Sequence, residues 1–96
     1  MAAQFSRYLL TQAEMAWYIK YYGMPGPVVE DLKEDAHERT SWMGVHSEYH
    51  KVMEEIDLKL FSLTSNPEDV DDLAQLKVRL WALDELITEG ELAFNS

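Results

Sequence analysis

Histidine and glutamate side chains at helical spacing are the residues of this sequence best suited to chemistry. His46 and His50 are four residues apart and Glu54 follows after another four, so the three share one face of a helix. Glu34 and His37 form a Glu-x-x-His pair, the spacing by which di-iron helical bundles supply ligands. Together these five residues predict, as one alternative, a divalent-metal site holding zinc or iron.

A structural or solvent-facing role is the interpretation that we favour for the three histidines. A di-iron bundle needs further glutamates that project inward from facing helices, and the sequence contains only one Glu-x-x-His pair. His46 and His50 also fall at the border of an apolar stripe, where histidines commonly have a packing role. We therefore expect no bound metal and no other cofactor.

Other catalytic machinery is missing from the sequence. The absence of cysteine excludes thiolate nucleophiles, thiolate zinc sites and iron–sulfur clusters in this chain. Ser41, Ser47 and Ser62 stand outside any nucleophile motif, and there is no glycine-rich phosphate loop. We predict a protein that is not an enzyme, with a metal-dependent oxidase as the alternative.

The charge balance restricts the partners. Eighteen acidic residues against eight basic ones give a net charge of −10 over 96 residues, which argues against direct binding to nucleic acid or to anionic membranes. An alternative function follows from the same charge: an acidic inhibitor that imitates nucleic-acid phosphates and binds a basic partner protein. The acids available for such an array are Glu48, Glu55, Asp84, Glu85, Glu89 and Glu91, interrupted by Lys51, Lys59, Lys77 and Arg79.

Two strong breaks and one weak break divide the chain. Prolines and glycines at 23–27 predict a loop, since proline lacks the amide donor and glycine favours turns. Asn66 followed by Pro67 and two acids predicts the start of a helix. A weaker break signal at 40–44 predicts either a kink in this helical region or the start of a new helix.

Helical periodicity fills the segments between these breaks. We predict helices over about 4–22 and about 67–89 and a helical region over about 28–64, with Gly90 as the stop of the last helix. The last two form a long antiparallel hairpin in a single all-α domain spanning 1–96. The apolar stripes that support the hairpin step by three and four residues: Trp42, Val45, Tyr49, Val52, Ile56, Leu60 and Leu63 in one arm, and Leu73, Leu76, Leu80, Leu83 and Ile87 in the other.

The first predicted helix has apolar or aromatic groups on every side, which is typical of a helix buried on more than one side. Further apolar residues lie off the stripes of the hairpin: Met43, Leu58 and Phe61 in one arm and Val78, Trp81 and Ala82 in the other. This excess predicts self-association, although ordinary surface exposure or an aromatic small-molecule pocket are alternatives. The predicted interface residues are Phe5, Leu9, Trp17, Tyr18, Tyr21, Tyr22 and Trp81.

The function that we predict is a non-enzymatic interaction, adaptor or assembly protein that works as a homo-oligomeric helical bundle. The acidic inhibitor is the first alternative and the helical metal-binding protein is the second. No secretory signal and no membrane-spanning run is found, so we expect a soluble, cytoplasmic protein.

Overall fold

A computed structural model describes residues 6–64 and 66–95, and in those ranges it contains four α-helices, one short 3-10 turn and no strand. The all-α prediction is confirmed. Over the described ranges, no helix combines the length and the hydropathy that a membrane-spanning segment needs. The 3-10 turn is Ser6–Tyr8, and the helices are α1 (Gln12–Tyr22), α2 (Pro25–Arg39), α3 (Trp42–Phe61) and α4 (Pro67–Asn95).

Helix α4 is the central element, because α1, α2 and α3 each pack against it. Its 29 residues make it the longest helix. At about 1.5 Å per residue it spans about 43 Å, close to the 45 Å length of the molecule. The packed pair of α3 and α4 therefore spans the molecule, and α1 and α2 lie against α4.

One face of α4 forms an aliphatic core with α3. Val52 and Ile56 from α3 are buried against Leu73, Leu80 and Leu83 from α4, all positions of the predicted stripes. Near the α3–α4 loop the Lys59 ammonium binds the Asp72 carboxylate, and at the far end Trp42 lies beside Gly90. This order of contacts is compatible with an antiparallel pair.

The opposite side of α4 forms a second core with α1 and α2. Tyr18 and Val29 pack there against Ala74, Val78 and Ala82. Val78 and Ala82, which the sequence pattern placed among the excess apolar residues, are covered within the same chain. The helix that is apolar on more than one side, and buried accordingly, is thus α4 rather than the first helix.

The first helix begins at Gln12, eight residues after the predicted start near residue 4. The reason is a capping box: the Thr11 hydroxyl accepts from the Glu14 amide at 3.1 Å, and the Glu14 carboxylate accepts from the Thr11 amide at 3.0 Å. These two bonds satisfy donors that a helix N-terminus otherwise leaves free. Leu9 therefore precedes α1 instead of lying on it.

The predicted 23–27 loop is shorter in the structure. Gly23 ends α1 with a φ of 90°, a conformation that favours glycine, and α2 already begins at Pro25. Proline is tolerated there because the first helical turn needs no amide donor. The next break lies between Arg39 and Trp42.

Gly90 lies inside α4 and does not end it, since the helix continues to Asn95. A Cβ atom at residue 90 would overlap the six-membered ring of Trp42. This glycine therefore makes room for a close approach between α3 and α4, and the expectation of a helix stop at this position was wrong.

Candidate protein-interaction site

The seven predicted interface residues do not form one surface. Trp17, Tyr18, Tyr21 and Tyr22 lie on α1, whereas Leu9 and Trp81 line a separate cavity beside the 3-10 turn. Phe5 lies outside the described residues. The predicted aromatic residues therefore belong to at least two different regions of the molecule.

Three of the α1 aromatic residues contact α4. Tyr18 is only 5% exposed and packs in the second core. The Trp17 indole N–H donates to Asp71 Oδ1 at 2.9 Å, and the Tyr22 hydroxyl donates to the same oxygen at 2.8 Å. The Trp17 bond, with help from Tyr22 and Gln75, lowers the pKa of Asp71. Within the chain, Tyr18 is thus a core residue and Trp17 an anchor between α1 and α4, while their assignment to an interface stays a prediction.

Tyr21 and Tyr22 remain exposed at the end of α1. The Tyr21 ring lies 4.5 Å from that of Trp17, and the Lys20 ammonium lies 5.3 Å from the Tyr21 ring centroid. The Tyr22 ring lies 4.9 Å from that of the buried Tyr18. These two tyrosines are the members of the predicted α1 set that stay available to a partner.

A groove of about 690 Å³ runs between α2 and α3 with α4 as its floor. Val28 and Leu32 of α2 line one wall, Leu58 of α3 lines the other, and Leu76 lies on the floor. Tyr18 also reaches it, so the groove borders the exposed end of α1. Grooves of this kind accept an apolar helix face from a partner.

Apolar side chains surround the end of α3 next to this groove. Leu58 is 70% exposed, Phe61 is 94% exposed and Leu63 is more than half exposed. Leu58 lines the groove itself, and Phe61 follows it by three residues, one helical turn further on. The predicted interface set omitted these residues, although the place of Leu58 and Phe61 off the α3 stripe was a signal that could have identified them.

The groove is electrically neutral in a strongly acidic protein. Its charged lining consists of two acids, Glu55 and Asp72, and two bases, Lys59 and Arg79. The Lys59 ammonium lies 2.9 Å from Asp72 and 3.0 Å from Asp69, and these carboxylates, Asp72 above all, raise the pKa of Lys59 to about 12. The groove thus differs from the rest of a chain whose net charge is −10.

A buried ion pair, missed by the sequence analysis, supports α1 on α4. The Lys77 ammonium lies 2.7 Å from Glu14 Oε1, and the side chains are 3% and 9% exposed. The same carboxylate oxygen accepts from the Thr11 amide, so one glutamate caps α1 and neutralises a buried lysine. The T-x-x-E pattern at 11–14 could have identified the cap, but no local signal identifies Lys77 as its partner.

The five predicted metal ligands are divided between two helices. Glu34 and His37 lie on α2, and His46, His50 and Glu54 lie on α3, where the His46 ring packs edge-on against Trp42 at 4.7 Å. Within residues 6–64 and 66–95, no three histidine or acidic side chains come together to hold an ion. The geometry of the described chain gives the metal-binding alternative no support.

Three of the six acids considered for the phosphate-mimicking array make ion pairs with basic side chains. Glu48 binds Arg39 and approaches Arg79 at 3.9 Å, and the Arg39 bond lowers the pKa of Glu48. The Lys33 ammonium lies 3.1 Å from Glu85 Oε1 and 2.5 Å from Glu89 Oε1. A different row, Asp31, Glu34 and Glu38 on α2, is exposed and makes no ion pair within the described chain.

Comparison with protein-family models, with curated proteins and with solved structures finds no match to this chain. Conclusions about its function therefore depend on its own residues.

Proposed function

We propose that this chain is a non-enzymatic interaction protein that assembles with a second copy of itself through the groove between α2 and α3. The observation that carries the proposal is Phe61, a phenylalanine 94% exposed beside an apolar groove on the same end of the molecule. Exposed apolar side chains that cluster next to a concave surface are typical of interaction sites.

The groove and the apolar side chains beside it suit a two-fold arrangement. In a two-fold dimer the same patch is used by both copies, so each patch must contain both a projection and a cavity. Phe61 and Leu58 supply the projection, and the groove supplies the cavity. In the proposed dimer, the α3 end of each copy packs into the groove of the other, with Tyr22 at its edge.

Charge favours this face over others for self-association. Two copies with a net charge of −10 repel each other wherever acids face acids. In the groove, Lys59 and Arg79 balance Glu55 and Asp72, so the proposed contact brings no net like charge together. The acidic outer face of α2 is left in solvent.

The test is Phe61→Glu, measured by light scattering at low and high salt. The unaltered chain is expected to have twice the mass of one chain, and its mass should change little with salt because the contact is apolar. Phe61→Glu should give a single chain with unchanged circular dichroism, since Phe61 contributes little to the core.

Met43→Glu is the matched control, because Met43 is 80% exposed at the opposite end of α3. It should leave the mass at two chains. A monomeric unaltered chain, or a Phe61→Glu chain that still has the double mass, would contradict the proposal.

A second candidate function is binding to a basic partner protein, and the exposed row on α2 favours it. Asp31, Glu34 and Glu38 are one helical turn apart and have no basic neighbour within ion-pair distance in the described chain. Binding of polylysine that weakens steeply with salt, and that the triple amide variant at these three positions loses, would support this candidate.

A further inference from the structure

A partly enclosed cavity with three aromatic walls lies on the other side of the α3–α4 pair from the groove. Tyr8 from the 3-10 turn, Tyr49 from α3 and Trp81 from α4 line it, and its volume is about 300 Å³. Trp81 follows Asp72 of the groove by nine residues, about two and a half helical turns, and so points to the opposite side of α4. The aromatic cavity is therefore a separate site.

Hydrogen bonds fix two of the three rings. The Tyr8 hydroxyl donates to Asp57 Oδ2 at 3.0 Å and accepts from Arg7 at 2.8 Å. The Trp81 indole N–H donates to the Glu85 carboxylate one turn further along α4. These two walls are thus held in place without a ligand, which reduces the entropy that binding would cost.

The polar groups of the cavity present negative charge. Asp84 is exposed and makes no ion pair within the described residues, and the Tyr49 hydroxyl has no hydrogen-bond partner there. Burial, followed by the charge of Asp84, raises the pKa of Tyr49. The one lysine in the lining, Lys77, is already neutralised by Glu14 at 2.7 Å.

Arg7, the other cation near the cavity, is also engaged. Its guanidinium lies 3.3 Å from Asp57 and 4.9 Å from the centroid of the Tyr8 ring. A cation therefore already rests on one ring of this group. The uncompensated charge at the cavity is that of Asp84.

We propose that the aromatic cavity binds an alkylated ammonium group, carried by a free quaternary ammonium ion or by a methylated lysine side chain. Aromatic faces attract such a cation, and the attraction grows where water is excluded. The alkyl carbons contact Leu10 and Leu80 in the lining, while the Asp84 carboxylate lies near the charge. A volume of about 300 Å³ is at the small end for ligand sites and suits a trimethylammonium head with a short chain.

The first experiment uses the unaltered chain with choline and with its neutral isostere, in which a tert-butyl group replaces trimethylammonium. Titration is followed by amide NMR shifts of Tyr49 and Trp81. Choline is expected to bind about tenfold more tightly than the isostere, because the two differ in charge and scarcely in shape. Equal affinity for the two, or shifts confined to residues outside the cavity, would overturn the proposal.

Two variants test the wall and the charge separately. Trp81→Leu keeps an apolar wall without a π-face, and Asp84→Asn removes the charge; each should weaken choline binding, Trp81→Leu on the order of tenfold. Asp31→Asn on α2 is the matched control and should bind choline unchanged. Undiminished affinity in both cavity variants would overturn the proposal, and the comparison with the neutral isostere needs no variant to fold.

A peptide arm distinguishes the two sources of the cation. A short peptide with trimethyl-lysine and the same peptide with unmodified lysine are titrated under identical conditions. Tighter binding of the methylated peptide than of choline identifies a lysine side chain as the source, whereas weaker binding identifies a free ion. Equal affinity for methylated and unmodified peptides, with no binding of choline, would overturn the proposal.

Discussion

The two buried sides of α4 are built on different principles. Toward α3, the core consists of branched aliphatic side chains such as Ile56, Leu80 and Leu83, which fill the space between the two helices. Toward α1 and α2, α4 presents the small side chains of Ala74 and Ala82, and charged groups are buried beside them. The first side depends on packed volume, and the second depends also on polar partners.

This difference shows how one helix can pack against two different sets of neighbouring helices. Apart from Asp69 at its loop end, the α3 side is filled by apolar residues of roughly suitable size, which many sequences supply. The α1/α2 side buries the charges of Glu14, Lys33 and Lys77, which are tolerable only when paired. Substitutions on the α1/α2 side should therefore lower the free energy of unfolding more than substitutions on the α3 side.

Removing the buried lysine gives the largest expected effect. Lys77→Ala leaves the Glu14 carboxylate buried without its cation and should lower the free energy of unfolding by about 3–5 kcal/mol. Urea unfolding measures it. Lys51→Ala, at an exposed lysine of α3, is the control and should stay within about 0.5 kcal/mol.

The paired replacement sharpens this result. Glu14→Gln with Lys77→Met removes both charges, and glutamine still accepts from the Thr11 amide as the capping box requires. The double variant should recover most of the lost stability, because no unpaired charge remains buried. A double variant as unstable as Lys77→Ala would show that packing, and not charge, supports this side.

Adding volume to the close-packed side gives the next effect. Ala74 of α4 is fully buried against α1 and α2. Ala74→Leu should lower the free energy of unfolding by about 1–3 kcal/mol, because the larger side chain forces the helices apart. On the α3 side, the volume-conserving change Leu83→Met should cost less than about 1.5 kcal/mol in the same urea titration. If Ala74→Leu stabilised the protein, the α1/α2 side would be underpacked and the comparison between the two sides would fail.

The smallest expected effect is a loss of stability at low pH that Asp69 causes, at the loop end of the α3 side. Asp69 accepts from the Thr64 hydroxyl at 2.6 Å and from the Thr64 amide at 2.7 Å; these bonds, with Lys59, lower the pKa of Asp69 to about 2. Because this pKa lies below the unfolded value near 4, the contribution of Asp69 is complete above about pH 4 and is lost as the pH falls toward 2.

Thermal unfolding at pH 4 and at pH 2 measures that contribution. Asp69→Asn should lose less stability between these two pH values than the unaltered chain does. Asp31→Asn, at an exposed acid of α2, should lose as much as the unaltered chain. An Asp69→Asn chain with the full acid sensitivity would assign the effect to other carboxylates.

Part of the candidate site was predictable from local pattern. The apolar side chains that fill the α3–α4 core recur at steps of three and four, and the same periodicity placed Leu58 and Phe61 off that core. The number of exposed aromatic residues on α1 was overestimated, because periodicity does not say which neighbour covers Tyr18 or which acid accepts from Trp17.

Local sequence pattern was enough to predict the helical class and the packing stripes of α3 and α4, because both depend on residues within a turn or two of each other. The central place of α4, the contact of Gly90 with Trp42 and the pairing of Glu14 with Lys77 follow from the packing of the helices. Those partners are 48 and 63 residues apart, and which of them meet depends on how whole helix faces pack together. The groove and the aromatic cavity arise in the same way, from side chains that only the packed helices bring together.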